Sequence, residues 1–165
     1  MDWMKAAGYE HYEISNFAKP GCRSRHNSSY WSGEKYYGFG PSAHSYFPAL
    51  PGRSAFTLTG ELPGSVRKWN IANNALYIQS LKKDTIPAEE EILTPTQQLN
   101  EYIMTALRTV EGIDLTRIGE SGSRKLLAAS HKYEASGKVL IENGRIVLTN
   151  EGKLFADGIA ADLFF

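Results

Sequence analysis

Cysteine is almost absent from this chain of 165 residues, since Cys22 is the only one. An internal disulfide is therefore excluded, and so is a zinc or iron–sulfur site built from several thiolates of this chain. A lone cysteine is typical of a reducing compartment, and we expect a cytoplasmic protein. Long apolar runs are also missing, because no stretch approaches the roughly 18 apolar residues of a transmembrane helix.

An excess of basic charge is missing as well. Lysine and arginine number 18, aspartate and glutamate also number 18, and the formal net charge is zero. This balance argues against a dedicated nucleic-acid binder, which normally carries a surplus of positive charge. Hydrophobic residues make up 42% and charged residues 22% of the chain, which is a globular composition rather than a disordered one.

The residues that are present are spread unevenly. Twelve of the nineteen aromatic residues and three of the four histidines (His11, His26 and His44) lie before residue 57. The N-terminal part therefore carries most of the candidate chemistry. Its pattern predicts a helix over 2–7 ended by Gly8, a strand over Tyr9–Ile14, and a polar loop over Ser15–Ser29 with a Pro20-Gly21 turn. A glycine-interrupted buried strand is predicted over Tyr36–Ser45. Loops over 48–64 surround a short strand Ala55–Thr59, and a helix follows over 73–83.

The C-terminal part has regular helix and hairpin signals. Thr94, with Gln97 three residues later, predicts a capping box for a helix over 95–111. A helix over 123–136 follows, and then Asn143-Gly144 predicts a tight hairpin between 138–142 and 145–149. A last helix over 151–162 is expected to bury Leu154, Phe155 and Ile159. This order is winged-helix-like, and the fold class is α+β, with a βα arrangement expected in the first part.

The densest polar and aromatic cluster is His26-Asn27 with Tyr30-Trp31. A neutral imidazole can bind heme iron, and aromatic rings can lie against a porphyrin face. The adjacent Arg23 and Arg25 could pair with carboxylates. The structural alternative is that His26 caps a loop by hydrogen bonds while Tyr30 and Trp31 belong to the core. The nearby Cys22 is a weaker ligand candidate.

Two other groups admit a functional and a structural interpretation. Gly38-Phe39-Gly40 followed by Ala43-His44 could let the backbone approach a cofactor, or could be a glycine-kinked strand. The basic residues of the 123–136 helix could read DNA as a recognition helix: Arg124, Lys125, His131 and Lys132. Residues 113–165 hold seven basic and seven acidic side chains, however, so these charges are better explained as a solvated face. The run Glu89-Glu90-Glu91 similarly predicts a solvated turn before the capped helix.

Three motifs together carry a family resemblance. They are the run Tyr12-Glu13-Ile14-Ser15-Asn16-Phe17-Ala18-Lys19-Pro20-Gly21, the element His26-Asn27-x-x-Tyr30-Trp31, and Gly38-x-Gly40-x-x-Ala43-His44-Ser45. The sequence resembles the oxygen-independent coproporphyrinogen III oxidase-like family. Its second motif resembles the heme-chaperone (HemW-like) branch of the radical S-adenosylmethionine (radical SAM) proteins.

The resemblance implies a fold in which a partial (β/α) barrel is followed by a small helical domain. It covers only the C-terminal portion of the family pattern, because the CxxxCxxC motif that holds the [4Fe–4S] cluster is not in this chain. The expected division is 1–60 as the last strands and helix of the barrel, 61–94 as a linker and helix, and 95–165 as a HemN C-terminal-like, winged-helix-like domain with one hairpin. Whether the chain is an enzyme is left open, and by itself it is expected to be inactive in radical chemistry.

The resemblance also implies functional residues and partners. His26 is the candidate heme iron ligand, and Asn27, Tyr30 and Trp31 shape its surroundings. Ala43 and His44 correspond to the strand that approaches S-adenosylmethionine. The expected role is heme or porphyrin binding and delivery to acceptor proteins, with coproporphyrinogen oxidation and a winged-helix interaction module as alternatives. An unpaired barrel edge would favour a homodimer or disorder before about residue 60.

Overall fold

The structure, a computed structural model, describes residues 1–48, 55–57, 60–62 and 64–165. It separates into two compact units, one of residues 1–32 with 99–165 and the other of residues 33–98. In chain order the elements are α1 (Asp2–Ala6), β1 (Glu10–Glu13), β2 (Asn16–Ala18), α2 (Arg25–Ser32), β3 (His44–Phe47), β4 (Ala55–Thr57), β5 (Gly60–Leu62), β6 (Ser65–Asn70), α3 (Asn74–Leu81), β7 (Ala88–Leu93), α4 (Pro95–Leu107), β8 (Ile113–Asp114), α5 (Glu120–Ala135), β9 (Val139–Glu142), β10 (Arg145–Leu148) and α6 (Ala156–Asp162).

The first unit has its core between α4, α5, α6 and a three-stranded antiparallel sheet of order β8-β10-β9. The capping box that starts α4 is confirmed. The Thr94 amide donates to Gln97 Oε1 at 2.7 Å, and the Gln97 amide donates to Thr94 Oγ1 at 3.2 Å. The fully buried apolar side chains of this core come from all of these elements: Ile103, Leu107, Ile113, Leu126, Val139, Ile146 and Ile159.

The hairpin of β9 and β10 forms at the predicted turn. Asn143 and Gly144 both have positive φ, +50° and +71°, which a type I′ turn requires. The final helical segment differs from the prediction. A 3-10 turn over Gly152–Phe155 comes first, and α6 begins only at Ala156. Ile159 is buried as expected, but Leu154 and Phe155 are 72% and 52% exposed.

The predicted loop over Ser15–Ser29 contains two regular elements. β2 pairs antiparallel with β1, with Glu10 opposite Ala18, so residues 10–18 form a hairpin. α2 then begins at Arg25 and includes the whole His26–Trp31 motif. The loop prediction was wrong here because the polar composition of this stretch hides both elements.

The second unit contains an antiparallel sheet of order β3-β6-β7. The predicted strand over Tyr36–Ser45 is wrong over most of its length. Tyr36 makes one isolated bridge to Tyr46, and regular pairing starts at His44. β6 lies in a stretch for which the sequence predicts no element, and β7 replaces a predicted solvated turn at Glu89–Glu91. Their pairing sets Lys68 opposite Glu90, with an ion pair of 3.1 Å.

The remaining elements agree with the expected mixed α/β architecture. Asn73 caps α3, because its side chain accepts from the Leu76 amide. β4 pairs with β5, and the rest of the loop predicted around Ala55–Thr59 lies outside the described residues. All pairings between named strands in the described ranges are antiparallel. No helix among these residues is long and apolar enough to cross a membrane.

Candidate functional site

Helix α2 places His26 and Tyr30 one turn apart on an exposed face of the first unit. The two rings meet edge to face, with centroids 5.0 Å apart, and the Tyr30 hydroxyl lies 3.3 Å from His26 Nε2. Ser24 starts the helix, because its hydroxyl accepts from the Asn27 amide at 3.2 Å. The spacing of the motif therefore presents one imidazole and one phenol together to the solvent.

Trp31 has a different environment from Tyr30. Its ring is partly buried and lies against the guanidinium of Arg108, whose Cζ is 5.6 Å from the ring centroid. The buried indole Nε1 has no hydrogen-bond partner within the described part of the chain. Tyr30 is 39% exposed and so is not a core residue. The motif thus has an exposed half, His26 and Tyr30, and an inner half, Trp31.

Arg23 fixes the chain just before α2. Its guanidinium donates to Glu10 Oε2 at 3.1 Å and to Glu111 Oε1 at 2.7 Å. The hydrogen bond to Glu111 is the main cause of a raised pKa for Arg23, so this side chain stays charged. The predicted carboxylate pairing is therefore present at Arg23. Cys22, its neighbour, is an exposed free thiol.

A buried carboxylate supports Arg108 beneath Trp31. Glu13 is 1% exposed and accepts from the backbone N–H of Ser15 and the side-chain amide of Asn16. Its other oxygen, Oε1, lies 3.6 Å from Arg108 Nε. Sequence reasoning missed this ion pair, because its two residues lie far apart along the chain. The only available signal was the presence of Glu13 in the first of the three motifs.

Ala43 and His44 belong to the second unit. His44 opens β3, with its ring 6.5 Å from that of Trp69, and the Ala43 carbonyl accepts from the Asn70 amide at 2.9 Å. Both His44 and Trp69 line a groove of about 520 Å³. Of the two motif residues, His44 lines this groove, and Ala43 is not among its lining residues.

The glycines before Ala43 pack against the chain itself. A Cβ on Gly38 would come within 2.2 Å of the His44 carbonyl oxygen, so only glycine fits there. Gly40 has φ of +100°, and its carbonyl accepts from the Asn70 side chain at 2.8 Å. The segment is therefore an irregular loop held by Asn70 rather than a kinked strand.

The metal-ligating side chains of this chain fit one of the two iron groups that the family resemblance implies, the heme, and not the other, the [4Fe–4S] cluster. A [4Fe–4S] cluster needs at least three thiolates, and the sequence contains one cysteine, so this chain does not fit the cluster. The described residues contain no group of three His, Cys, Asp or Glu side chains able to hold a metal ion. A heme iron needs only one axial imidazole from the protein, and the exposed His26 ring meets that requirement.

Comparison with known proteins identifies the family of the chain. Residues 93–155 match the HemN C-terminal domain family. Over 96% of its length the chain is 33% identical to the protein named heme chaperone HemW from Bacillus subtilis. It is 31% identical over 97% of its length to heme chaperone HemW from Mycobacterium tuberculosis. The chain belongs to the HemN and HemW-like family.

Structure comparison finds the same fold at lower identity. The coproporphyrinogen III oxidase HemN from Escherichia coli, described as a radical SAM enzyme, matches 99% of this chain with a TM-score of 0.65 at 14% sequence identity. The HemW-like chain covers 38% of that protein, 39% of the Bacillus relative and 36% of the Mycobacterium relative. It therefore spans about two fifths of the length of the relatives it matches.

Proposed function

We propose that this chain is the heme-binding segment of a radical SAM heme chaperone-like protein, with His26 as the axial ligand of the heme that is delivered. The observation that carries the proposal is the α2 surface. The accessible imidazole of His26 lies beside the phenol of Tyr30, which is 39% exposed. The chain just before this helix is fixed by the ion pairs of Arg23 with two glutamates. A carrier must release its heme, and a single ligand on an open helix face suits release better than a closed pocket does.

The chain's own residues would each have a separate part in holding the heme. His26 Nε2 lies 3.3 Å from the Tyr30 hydroxyl, so Tyr30 orients the imidazole ring. Asn27 is at the N-terminal turn of α2, and its amide secures the helix start at Ser24. Trp31 anchors the inner face of α2 against Arg108. In this arrangement heme is the cargo, and no chemical step is assigned to the chain.

The architecture behind this role is also part of the proposal. Helix α4, the short β8, helix α5 and the β9–β10 hairpin follow the order of a winged helix, and residues 95–165 would be the HemN C-terminal-like domain. Residues 1–60 would be the remnant of the partial barrel, and 61–94 the connection. Ala43 and His44 would contact S-adenosylmethionine only in a protein that also supplies the cluster-binding part.

The test is a hemin titration of the chain, followed through the Soret band, for wild type and His26→Ala. We expect wild type to give the spectrum of an imidazole-ligated heme and His26→Ala to lose it. His131→Ala is the matched control, because His131 is also exposed on a helix of the same unit, paired with Glu134. An unchanged spectrum in His26→Ala, or an equal loss in the control, would remove His26 from the proposal.

Coproporphyrinogen oxidation is the alternative in the same family. Against it stand the His26-Asn27-x-x-Tyr30-Trp31 element, which resembles the chaperone branch, and the names of the relatives at 31% and 33% identity, which are heme chaperones. A winged-helix interaction module is the alternative outside it, and the seven basic and seven acidic side chains of residues 113–165 weigh against nucleic acid as its partner. The proposal includes a cytoplasmic location, acceptor proteins and a homodimer. Size-exclusion chromatography with light scattering would detect the dimer.

A further inference from the structure

A second groove, of about 570 Å³, lies in the first unit and uses none of the His26 motif. Its lining combines apolar walls with positive charge. Leu154 and Phe155 form one wall, and Lys138 and Lys153 are among the lining residues. A volume of this order suits a ligand of moderate size.

Lys153 is the unusual cation of this groove. Its Nζ lies 2.9 Å from His11 Nδ1, and the other ring nitrogen, Nε2, lies 3.0 Å from the Ile14 carbonyl oxygen. Nε2 must therefore donate to that carbonyl, which leaves Nδ1 as the acceptor of a lysine N–H. The His11 ring is held in turn by stacking on Phe17, with centroids 4.2 Å apart. The ammonium is thus positioned by His11, and among the described residues Nζ makes no second hydrogen bond.

The acidic side chains near the groove have other partners. Asp157 pairs with Arg108 at 3.2 Å, and Asp162 pairs with Lys132. Burial lowers the pKa of the Lys153 amine. Within the described ranges no carboxylate lies at ion-pair distance from it. An incoming anion would therefore meet a cation that has not been neutralised.

The apolar wall is exposed where the sequence predicts a buried helix face. Leu154 is 72% and Phe155 52% exposed, although both are large apolar side chains. The Lys138 ammonium lies 5.3 Å from the centroid of the Phe155 ring, so the aromatic surface and a positive charge adjoin each other. Such a surface suits a ligand that has a flat apolar body and an anionic edge.

We propose that this groove binds the carboxylate-bearing edge of a porphyrin, with Lys153 taking one propionate and Leu154 and Phe155 contacting the ring. The inference rests on the proposed function in that it names the same class of cargo, but it adds a binding surface that needs no iron ligand. Lys138 is the second cation of the groove, and its Nζ lies 4.0 Å from Glu151 Oε1, so a second propionate would compete with that exposed carboxylate.

The experiment separates the groove from the His26 site by leaving out the iron. Metal-free protoporphyrin, which cannot accept an axial ligand, is titrated into wild type, Lys153→Met and Leu154→Glu, and its fluorescence is measured. We expect Lys153→Met and Leu154→Glu to weaken binding about tenfold or more, since a charge-assisted hydrogen bond is lost or a like charge is introduced.

Lys5→Met is the matched control, because Lys5 is an exposed lysine of the same unit outside the groove. The dimethyl ester of protoporphyrin, which lacks the carboxylates, should bind wild type and Lys153→Met equally. Wild-type affinity in both groove variants, absence of binding by wild type, or equal binding of acid and ester would overturn the inference. Failure of His26 as the ligand would instead appear in the hemin titration, with porphyrin binding intact.

Discussion

The Arg108–Glu13 pair offers the most quantitative test of how the α2 surface is supported. Replacing Arg108 with methionine keeps the apolar stem of the side chain and removes the charge. Glu13, at 1% exposure, would then be a buried carboxylate whose partners in the described part of the chain are the Ser15 N–H and the Asn16 amide. Trp31 would lose the guanidinium that lies against its ring. We therefore expect a loss of stability together with a looser α2.

The size of the effect follows from the geometry. At 3.6 Å the attraction between unit charges is about 4 to 5 kcal/mol with an effective dielectric constant of about 20. Removing one partner of a buried pair commonly costs about 3 to 5 kcal/mol. Because 3.6 Å exceeds hydrogen-bond distance, the lower end applies, and Arg108→Met should lower the free energy of unfolding by about 3 kcal/mol.

The assay is urea unfolding followed by circular dichroism, arranged as a double-mutant cycle with Glu13→Gln. The double variant should be less destabilised than the sum of the single variants, with a coupling of about 2 kcal/mol. Asp157→Asn is the control, since Asp157 contacts the same guanidinium but its side chain is 89% exposed and should contribute little. A cost below about 1 kcal/mol for Arg108→Met, or additive single effects, would refute the reasoning.

Three further predictions concern the first unit. Gly152→Ala should destabilise by at least about 2 kcal/mol in thermal unfolding, because its Cβ would come within 1.8 Å of the Lys138 carbonyl oxygen. Gly158→Ala, inside α6 with nothing within 4 Å of a new Cβ, should instead stabilise by about 0.5 to 1 kcal/mol; a loss would contradict this. The hydrogen bond from Lys132 lowers the pKa of Asp162. The stabilisation from this ion pair is therefore present above the ordinary pKa of 3.8 and lost as the pH falls through the lower folded-state pKa. Asp162→Asn should have a lower free energy of unfolding than wild type at neutral pH, and the two values should converge in acid, as measured by urea unfolding at several pH values.

Local signals were predictable where one short stretch of sequence contains the whole interaction. The capping box of Thr94 and Gln97 needs residues three apart, and the Asn143-Gly144 turn needs two adjacent residues with positive φ. Both were found. The long strand over 36–45 was wrong because its glycines form a loop: Gly40 has φ of +100°, and Gly38 lies against the His44 carbonyl.

The charged residues of the second unit led to a wrong prediction, because a run of glutamates in β7 was interpreted as a turn. Lys68 in β6 lies opposite Glu90 in β7 and forms an ion pair of 3.1 Å with it, which stabilises the sheet across strands, and Arg67 lies opposite Glu91. A pairing between segments more than twenty residues apart cannot be read from either segment alone. The glutamate run therefore resembled a solvated turn.

The residues of the candidate site stay a prediction, and their geometry could not be inferred from the sequence. His26 and Tyr30 adjoin only because α2 is a helix, and the polar composition of the stretch predicted a loop. The contacts of Arg108 with Glu13 and of Lys153 with His11 join residues 95 and 142 positions apart. Only the tertiary fold brings such partners together, and no local pattern indicates them.

The three tryptophans have distinct optical environments. Trp3 is 91% exposed on α1, Trp31 is the partly buried residue beside a guanidinium, and Trp69 lies in β6 of the other unit. Porphyrins absorb in the region where indoles emit, so a bound tetrapyrrole quenches nearby tryptophan by energy transfer. Variants that retain one tryptophan each would therefore report which unit holds the cargo, without any label added to the chain.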